Sequence, residues 1–278
     1  MSKIEWCDKT WNWLVGCSRM PNDPACVNCY AATAAASPRL QQFSQYQGVQ
    51  NWDGTVNFAE SQLYKPLEWK SPQRIFTCSM SDVFHSNVPD EWRDRAFAVM
   101  AVKSQHTYQV LTKRTVRMLD YFSNPELGKR WIRVIEEDKK LMTSPCLGHL
   151  FNELEESVVL SQLWLGTTAT CQKTVGDRLP ILDKLSRKGF TTFVSVEPLT
   201  EAVNLGLDFP GYKIHQVITG AESGKNARSM KQEWVRSLRD QCLMSNVAFF
   251  YKQDFVRSRK VSLPKLDGAT WTQFPEDS

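Results

Sequence analysis

The order of strand-like and helix-like segments constrains the fold of this chain more than any other feature. Short runs rich in β-branched and aromatic residues recur along its 278 residues, and stretches of helical character separate them. That alternation is typical of a parallel sheet wound by βα units. It predicts an α/β fold with an incomplete parallel barrel, whose strands are Trp11 to Val15, Arg74 to Ser79, Thr107 to Thr112, Gln162 to Thr168, Thr191 to Val196, His215 to Gly220 and Val247 to Tyr251.

Two segments have the pattern of sheet-covering helices, and a third is too long for a simple connection. Pro89 to Ser104 begins with proline and acidic residues, continues with apolar residues at helical spacing, and Met230 to Met244 is similar. Residues 123–160 are charged and helical in character, so we interpret them as an insertion or lid. We treat residues 1–278 as a single domain with a basic and aromatic tail at 252–278.

Composition and charge narrow the class of protein. The chain has no run of about 18 apolar residues, and its first residues lack the order of a signal peptide. We therefore predict a cytoplasmic protein that does not enter a membrane. The net charge of +4 permits an anionic partner without demanding one. Basic residues crowd the tail beside aromatic ones, a mixture that can hold phosphates and stack bases or simply be solvated: Lys252, Arg257, Arg259, Lys260 and Lys265.

Three of the eight cysteines, Cys17, Cys26 and Cys29, form the array C-x8-C-x2-C. Without a secretory signal, such cysteines indicate reduced thiols, metal ligation or catalysis rather than disulfides. Three thiolates can hold three irons of a cubane cluster and leave the fourth iron open to a small molecule. A zinc knuckle and unligated thiols are the alternatives. The simplest interpretation of the remaining cysteines is burial as small hydrophobic residues: Cys7, Cys78, Cys146, Cys171 and Cys242.

Polar residues follow the carboxyl ends of the predicted strands. In a parallel barrel these ends meet at one mouth, where binding and catalytic residues gather. The sequence therefore predicts a site built from Gly16-Cys17, Ser79 to Asp82, Thr112 to Arg114, Gly166 to Thr168, Ser195 to Pro198, Gly220 to Gly224 and Tyr251 to Gln253.

The string IEWCDKTWNWLVGC…CVNCYA, followed by SMSDVFH, VLTKR, WLGTT, SVEPL, GAESG, FFYKQ and LDGATW, resembles a phage-associated family of the radical SAM superfamily nearly from end to end. The resemblance implies a partial (β/α)6-type radical SAM barrel with an additional C-terminal strand and a helical insertion. It also implies a [4Fe-4S] cluster on the three cysteines, S-adenosylmethionine at the open iron, and an external electron donor. The usual superfamily spacing is C-x3-C-x2-C, and Asn28 stands where an aromatic residue usually precedes the last cysteine.

The resemblance assigns the methionine part of the cofactor to the second and third strand ends. Ser79, Ser81 and Asp82 match the position that holds the methionine ammonium by charge-assisted hydrogen bonds, although Asp82 would alternatively cap a helix. Lys113 would neutralise the methionine carboxylate, or, like Arg114, be an ordinary surface cation or phosphate contact.

Later strand ends supply the other implied contacts. Thr168 and Glu197 are placed to meet ribose hydroxyls, and Gly220 and Glu222 of GAESG are cofactor or substrate contacts. The catalytic candidates are Cys171, as a hydrogen donor or a space filler, and Lys252, which with His85 could bind substrate at the mouth.

The substrate is less constrained than the cofactor. The phage affiliation, the basic tail and the loop-lined mouth favour a nucleobase, which we interpret as a hypermodified thymine of phage DNA whose side chain undergoes radical isomerisation. The partner is then DNA or a nucleotide, and the protein is an isomerase or lyase of the host cytoplasm. A DNA repair enzyme similar to spore photoproduct lyase and a non-enzymatic, zinc-stapled nucleic-acid binding module are the alternatives. The oligomeric state stays open.

Overall fold

The computed structural model describes residues 4–144, 147–208, 210–224, 226–256 and 259–275. Cys146 and Arg257, two residues singled out in the sequence, lie outside these ranges. The chain divides into two compact units. The first contains Cys7–Ser18 and Ala31–Trp164, and the second contains Ser2–Trp6, Arg19–Tyr30 and Leu165–Ser278. Cys17 belongs to the first unit, whereas Cys26 and Cys29 belong to the second.

The strands confirm the mixed α/β class. The largest sheet has eight strands in the order β1-β4-β5-β6-β7-β8-β9-β10. Its pairs β1–β4, β4–β5, β7–β8 and β8–β9 are parallel, whereas β10 runs antiparallel to β9. Each predicted strand contributes to the fold. The strand bounds are β1 Lys9–Trp11, β2 Leu14–Val15, β3 Asn57–Phe58, β4 Arg74–Thr77, β5 Thr107–Thr112, β6 Leu163–Thr168, β7 Thr191–Val196, β8 Gln216–Gly220, β9 Ala248–Val256, β10 Arg259–Ser262, β11 Lys265–Leu266 and β12 Ala269–Thr270.

The first predicted strand is wrong as a single element. The chain leaves the large sheet after Trp11, and β2 pairs antiparallel with β3 in a separate two-stranded sheet. The break falls at Asn12, whose Oδ1 accepts hydrogen bonds from the Ser79 hydroxyl at 3.1 Å and the Met80 amide at 3.3 Å. A side chain that satisfies backbone and hydroxyl donors in this way favours a turn over a continuing strand.

Both predicted sheet-covering helices are confirmed, with ends that differ from the predictions by two residues or fewer. The helix bounds are α1 Pro24–Val27, α2 Tyr30–Ala35, α3 Pro38–Gln41, α4 Glu60–Leu63, α5 Lys65–Glu68, α6 Asp90–Val102, α7 Thr115–Phe122, α8 Leu127–Glu137, α9 Leu147–Glu156, α10 Gln172–Arg187 and α11 Gln232–Met244. A 3₁₀ turn covers Ser44–Tyr46.

The predicted insertion at 123–160 contains α8 and α9, and α8 packs into the core of the first unit. Leu127, Trp131 and Ile135 lie four residues apart and are fully buried, as one face of an amphipathic helix requires. Trp131 stacks on Phe97 of α6 with ring centroids 5.4 Å apart. This helix therefore contributes to the packing of the first unit.

In the second unit, β7 and β8 are almost wholly buried. Buried apolar residues of α10 and α11 belong to the same core. Strand β10, which pairs with β9 at the edge of the sheet, is exposed along its whole length and carries Arg259 and Lys260. Basic residues on such an edge strand oppose pairing with another chain. Part of the predicted basic tail is thus an edge of the sheet.

Candidate functional site

Cys17 is positioned by the backbone around it in the first unit. The amide of Gly16 donates to Met80 O at 3.0 Å, and the Cys17 carbonyl accepts from the Gly54 amide at 3.1 Å. Gly16 has φ +97°, and a Cβ there would lie 2.2 Å from the backbone oxygen of Thr55. Only glycine suits such a conformation and such a close approach. The Cys17 thiol consequently follows a tightly fixed turn.

Arg114 and Asp82 form a buried ion pair beside this thiol. Arg114 Nη1 lies 2.9 Å from Asp82 Oδ2 and 3.7 Å from Cys17 Sγ. Burial, with Asp82 next in size, raises the pKa of the Cys17 thiol to about 11, although Arg114 and Lys113 oppose the rise. Burial would likewise raise the pKa of Asp82, but Arg114 and the neighbouring donors hold it below its usual value. The pair therefore stays charged while the thiol keeps its proton.

Asp82 is saturated with hydrogen-bond donors. Oδ1 accepts from the Thr112 hydroxyl at 2.6 Å and the Phe84 amide at 3.0 Å, while Oδ2 accepts from the Lys113 amide at 3.1 Å and from Arg114. A carboxylate offers about four acceptor positions. Asp82 thus pairs with Arg114 and closes a local turn at Phe84. None of the helices in the described residues begins beside it, so the alternative of a helix cap is wrong.

The neighbouring predicted residues meet protein partners as well. The Ser81 hydroxyl donates to the Gly16 carbonyl, and the Ser79 hydroxyl contacts Asn12. The Ser18 hydroxyl lies 2.8 Å from His85 Nε2. His85 Nδ1 accepts from a backbone amide, which leaves the proton on Nε2 and makes this ring a donor to Ser18. The first unit therefore gathers Ser81, His85 and the Asp82–Arg114 pair around Gly16-Cys17-Ser18.

Cys26 and Cys29 lie on or beside a short helix whose start the sequence specifies. Asp23 caps α1 by accepting from the Ala25 amide at 2.9 Å, and Pro24 occupies the first helical position. Cys26 is buried inside α1. Cys29 is half-buried in the two-residue link between α1 and α2. The local sequence thus fixes how the two thiols are separated.

A buried arginine holds the start of this segment. Arg178 of α10 pairs with Asp23, and the exposed fractions of the two side chains are 6% and 3%. Its Nη1 also donates to the carbonyl of Thr168 at 2.5 Å. Because a buried charge is stable only when it is paired and hydrogen-bonded, Asp23 and Arg178 depend on each other. Thr168, a predicted ribose contact, ends β6 and lies at this anchor.

A second arginine holds the end of the segment. Glu222 of GAESG pairs with Arg228, whose Nε lies 2.8 Å from Oε2. The same Oε2 accepts from Asn28 Nδ2 at 3.1 Å, and Arg228 Nη2 donates to the Pro24 carbonyl at 2.8 Å. Burial would raise the pKa of Glu222, but the Arg228 and Asn28 donors lower it. Glu222 therefore remains a carboxylate that contacts the cysteine segment.

Two further predicted residues of the second unit come together. Lys252 Nζ lies 2.6 Å from Glu197 Oε1, and the exposed fractions of the two side chains are 13% and 16%. Gly220 ends β8, and its carbonyl accepts from the Leu199 amide at 3.1 Å. This arrangement gives Glu197 a cationic partner and leaves its Oε2 for another donor.

Cys171 stands at the start of α10. Its backbone amide donates to the Thr174 hydroxyl at 3.1 Å, and its sulfur lies 3.4 Å from the same oxygen. Cys171 is therefore the N-cap of the helix, with a capping box closed by Thr174. This capping role was not predicted from the sequence.

The predicted basic and aromatic tail is largely occupied by contacts within the second unit. Lys252 pairs with Glu197, and Lys260 pairs with Glu5 at 3.1 Å. Trp271 packs edge-on against Phe249 and lies under Arg239. Arg259 and Lys265 are exposed. These two cations are the described tail residues best placed to meet an anionic partner.

Arg178 and Arg228 were not predicted from the sequence, because no motif marks them. Arg178 lies 155 residues from Asp23 and Arg228 lies 204 residues from Pro24, whereas Glu222, the ion-pair partner of Arg228, is six residues away. Asp23 carried the one signal that was readable, since an aspartate before proline is a common helix start.

Within the described part of the chain, no three His, Cys, Asp or Glu side chains are grouped so that they could hold one metal ion. Cysteines that ligate different irons of a cluster do not surround a single point, so this finding concerns a single ion. The chemistry of the donor set suits a cluster, because Cys17 and Cys26 are free thiols, and soft thiolates are the usual ligands of iron–sulfur groups.

The fold and these residues define an α/β protein with a largely parallel sheet and an array of three cysteines. A family model described as protein of unknown function (DUF5131) matches residues 1–275, so the chain belongs to the DUF5131 family. Searches of curated proteins and of solved structures gave no match. No helix in the described ranges is long and apolar enough to cross a membrane.

Proposed function

We propose that this protein is a radical SAM enzyme with a partial (β/α)6-type barrel. The observation that carries the proposal is the C-x8-C-x2-C array, which places three thiols within thirteen residues of one another along the chain. The sequential order of neighbouring strands supports it, because that is the strand order of a βα-wound barrel. Cys17, Cys26 and Cys29 would hold a [4Fe-4S] cluster.

Held by these residues, the cluster and S-adenosylmethionine would supply reductive cleavage of the cofactor, with an electron from an external donor, and hydrogen abstraction from the substrate. The part of the protein is to bind and orient these reactants and to exclude water. Glycine and backbone contacts at Gly16 keep Cys17 in place for this purpose.

Lys113 is the best-placed cation for the carboxylate of the cofactor. It is half-buried, and its charge acts on both Cys17 and Asp82. Among the described residues Lys113 makes no ion pair, so its ammonium group can bind an anionic ligand. Asp82 would bind the methionine ammonium only by giving up one of its four donors, whereas Ser79 and Ser81 offer hydroxyl oxygens nearby in sequence.

In the second unit, Glu197 would meet the ribose hydroxyls. Lys252 engages Oε1 and so keeps the carboxylate oriented, which leaves Oε2 as the acceptor. Thr168 and Gly220 complete the proposed cofactor contacts. Glu222, the remaining candidate from the sequence, has both carboxylate oxygens engaged by Arg228, so we assign it to the cysteine segment rather than to the cofactor. The thiol of Cys171 would serve as a hydrogen donor only if the Thr174 contact opens.

We further propose that the substrate is a modified thymine in phage DNA, and that the reaction is a radical isomerisation of its side chain. The family resemblance supports this choice. The exposed Arg259 and Lys265 are suited to phosphate contacts.

Anaerobic reconstitution tests the cluster. We expect a brown protein with about four irons per chain and the charge-transfer absorption of an iron–sulfur group. A colourless protein that holds one zinc would support the zinc-stapled nucleic-acid binding module instead, and would overturn the proposal.

Substitution of the ligands tests the assignment. Cys17→Ala, Cys26→Ala and Cys29→Ala should each lose the iron and the cleavage of S-adenosylmethionine, because each removes one of three ligands. Cys7→Ala is the matched control, since Cys7 and Cys17 are both 8% exposed and belong to the same unit. Equal iron loss in the control would show that the effect is one of folding.

The substrate is tested by supplying the reconstituted protein with reductant, S-adenosylmethionine and two kinds of DNA. We expect 5′-deoxyadenosine and an isomerised base with DNA that contains hypermodified thymine, read by mass spectrometry. Product formed only with ultraviolet-damaged DNA would replace the proposal with a repair enzyme similar to spore photoproduct lyase.

A further inference from the structure

We propose that Asn28, Glu222 and Arg228 form a latch that sets the conformation of Cys29 relative to Cys26. The three are positioning residues, because they act on the cysteine segment rather than on the reacting atoms. The inference rests on the proposed function in one respect, since it treats the two cysteines as ligands. The latch itself is a property of the second unit.

Cys29 occupies a short link whose shape depends on its neighbour. Helix α1 ends at Val27 and α2 begins at Tyr30, so only Asn28 and Cys29 connect them. Asn28 is the C-cap of α1, with φ −108° and ψ 49°, outside the helical region. Its side chain donates to Glu222 Oε2 at 3.1 Å and to the Asn226 carbonyl at 3.0 Å. An amide nitrogen has two protons, so both are used.

Glu222 is a fixed acceptor for Asn28. Arg228 binds both carboxylate oxygens through Nε and Nη2, and the Arg228 amide donates to Oε2 at 2.8 Å. Two-point contacts of this kind fix the orientation of a carboxylate as well as its charge. The acceptor therefore keeps its position whether or not a ligand is bound.

Arg228 is linked to both ends of α1, directly at one end and through Glu222 at the other. It donates to the Pro24 carbonyl at the start of the helix, and the Glu222 carboxylate that it binds accepts from Asn28 at the end. The stretch that carries Cys26 is thus held between the Arg228 guanidinium and the carboxylate paired with it. A fixed separation of the two ends is what a pair of ligands to one cluster requires.

The latch also accounts for the departure at position 28. The usual aromatic residue there cannot donate two hydrogen bonds, whereas asparagine can. The GAESG segment supplies the acceptor, and its Glu222 side chain is only 6% exposed. The contact between Asn28 and Glu222 therefore explains the asparagine at position 28.

The test uses the full-length, metal-free protein with the variants Asn28→Asp and Asn28→Ala. Iodoacetamide labelling of Cys26 and Cys29 is followed by mass spectrometry of the tryptic fragment from Met20 to Arg39. Because Asn28 donates to a charged acceptor, loss of the Glu222 contact should speed Cys29 labelling relative to Cys26 by about tenfold or more.

Asn57→Asp is the matched control. The Asn57 side chain also donates two hydrogen bonds, to the carbonyls of Gln45 and Gln47, but it belongs to the first unit. The Asn57→Asp variant should therefore leave the ratio of Cys29 to Cys26 labelling unchanged. If Asn28→Asp gives the same ratio as this control, the latch is wrong.

A second pair of variants keeps the test decisive if Asn28→Asp does not fold. Glu222→Gln keeps an acceptor oxygen and should raise the labelling ratio less than Glu222→Ala, because the amide still accepts from Asn28. Equal ratios for wild type and Glu222→Ala would overturn the latch.

Iron uptake separates the latch from the proposed function. If wild type binds about four irons, Asn28→Asp should retain less iron and show an altered cluster absorption spectrum. If wild type binds no iron, the proposed function fails, and the labelling ratios alone decide whether the latch exists.

Discussion

The two halves of the cysteine array are anchored by different means. Backbone hydrogen bonds hold Gly16 and Cys17 in the first unit, and Arg114 approaches the Cys17 sulfur directly. In the second unit, side chains hold the segment with Cys26 and Cys29, through Asp23 at one end and Asn28 at the other. An anchor of backbone bonds survives most side-chain substitutions, whereas an anchor of ion pairs depends on every member. The second half should therefore be the more sensitive to mutation.

Of the substitutions in the two units, Arg178→Met should lower the free energy of unfolding most. It leaves Asp23 charged and unpaired in the interior, and breaking a buried pair in this way costs about 3–5 kcal/mol of stability. Urea unfolding should show this loss as a lower free energy of unfolding. Lys129→Met, on an exposed face of α8, is the control and should leave the unfolding curve unchanged within error. If Arg178→Met lowers the free energy of unfolding no more than Lys129→Met does, the Asp23–Arg178 pair does not stabilise the cysteine segment.

Asp82→Asn should lower the free energy of unfolding by a smaller amount, about 2 kcal/mol. It weakens hydrogen bonds of a charged group but leaves the Gly16 and Cys17 backbone contacts intact. The pKa of Asp82 is lowered in the folded protein. Its contribution to stability is therefore complete above the unfolded pKa of about 3.9 and is lost as pH falls through the folded value.

The free energies of unfolding of wild type and Asp82→Asn, measured from pH 7 downwards, should consequently converge in acid. A difference that stays constant down to pH 2 would show that the Asp82 carboxylate contributes through its shape and not its charge.

The smallest expected effect concerns Cys17 itself. With a pKa of about 11, its labelling by iodoacetamide in metal-free protein should rise about tenfold per pH unit from pH 7 to 10 without reaching a plateau. Arg114 lowers this pKa, so Arg114→Gln should move the rise to higher pH. Arg117→Gln is the control, because Arg117 donates to the Phe84 carbonyl and does not act on the thiol. A plateau near pH 8.5 would contradict the buried environment of Cys17.

Local patterns predicted most of the fold. The β-branched and aromatic run Thr107–Thr112 and the helix that begins near Pro89 could be predicted, because strand propensity and helix-start signals depend on neighbouring residues. The break after Trp11 was not readable, because it depends on hydrogen bonds between Asn12 and the distant Ser79. The hydrogen bonds of Asn12 thus favour a turn within the apolar run from Trp11 to Val15.

The candidate site was predictable in its residues but not in its connections. Glu197 and Lys252 were both named from the sequence, yet only the folded chain pairs them. Arg178 and Arg228 escaped notice because a lone arginine in a helix or loop has no local signature of its partner. The contacts of Arg178 with Asp23 and of Arg228 with the Pro24 carbonyl join distant parts of the chain. Such contacts are set by tertiary packing, which a linear pattern does not encode.

Gly16 has a consequence for the tolerance of this chain to sequence change. Any side chain at that position would collide with the Thr55 carbonyl and would demand an unfavourable φ, and neither problem can be relieved by a compensating rotamer. In a saturation library selected for stable expression, position 16 should return glycine alone, even among variants with the thiol next to it removed. The turn before Cys17 would then be under selection for folding before any selection for chemistry.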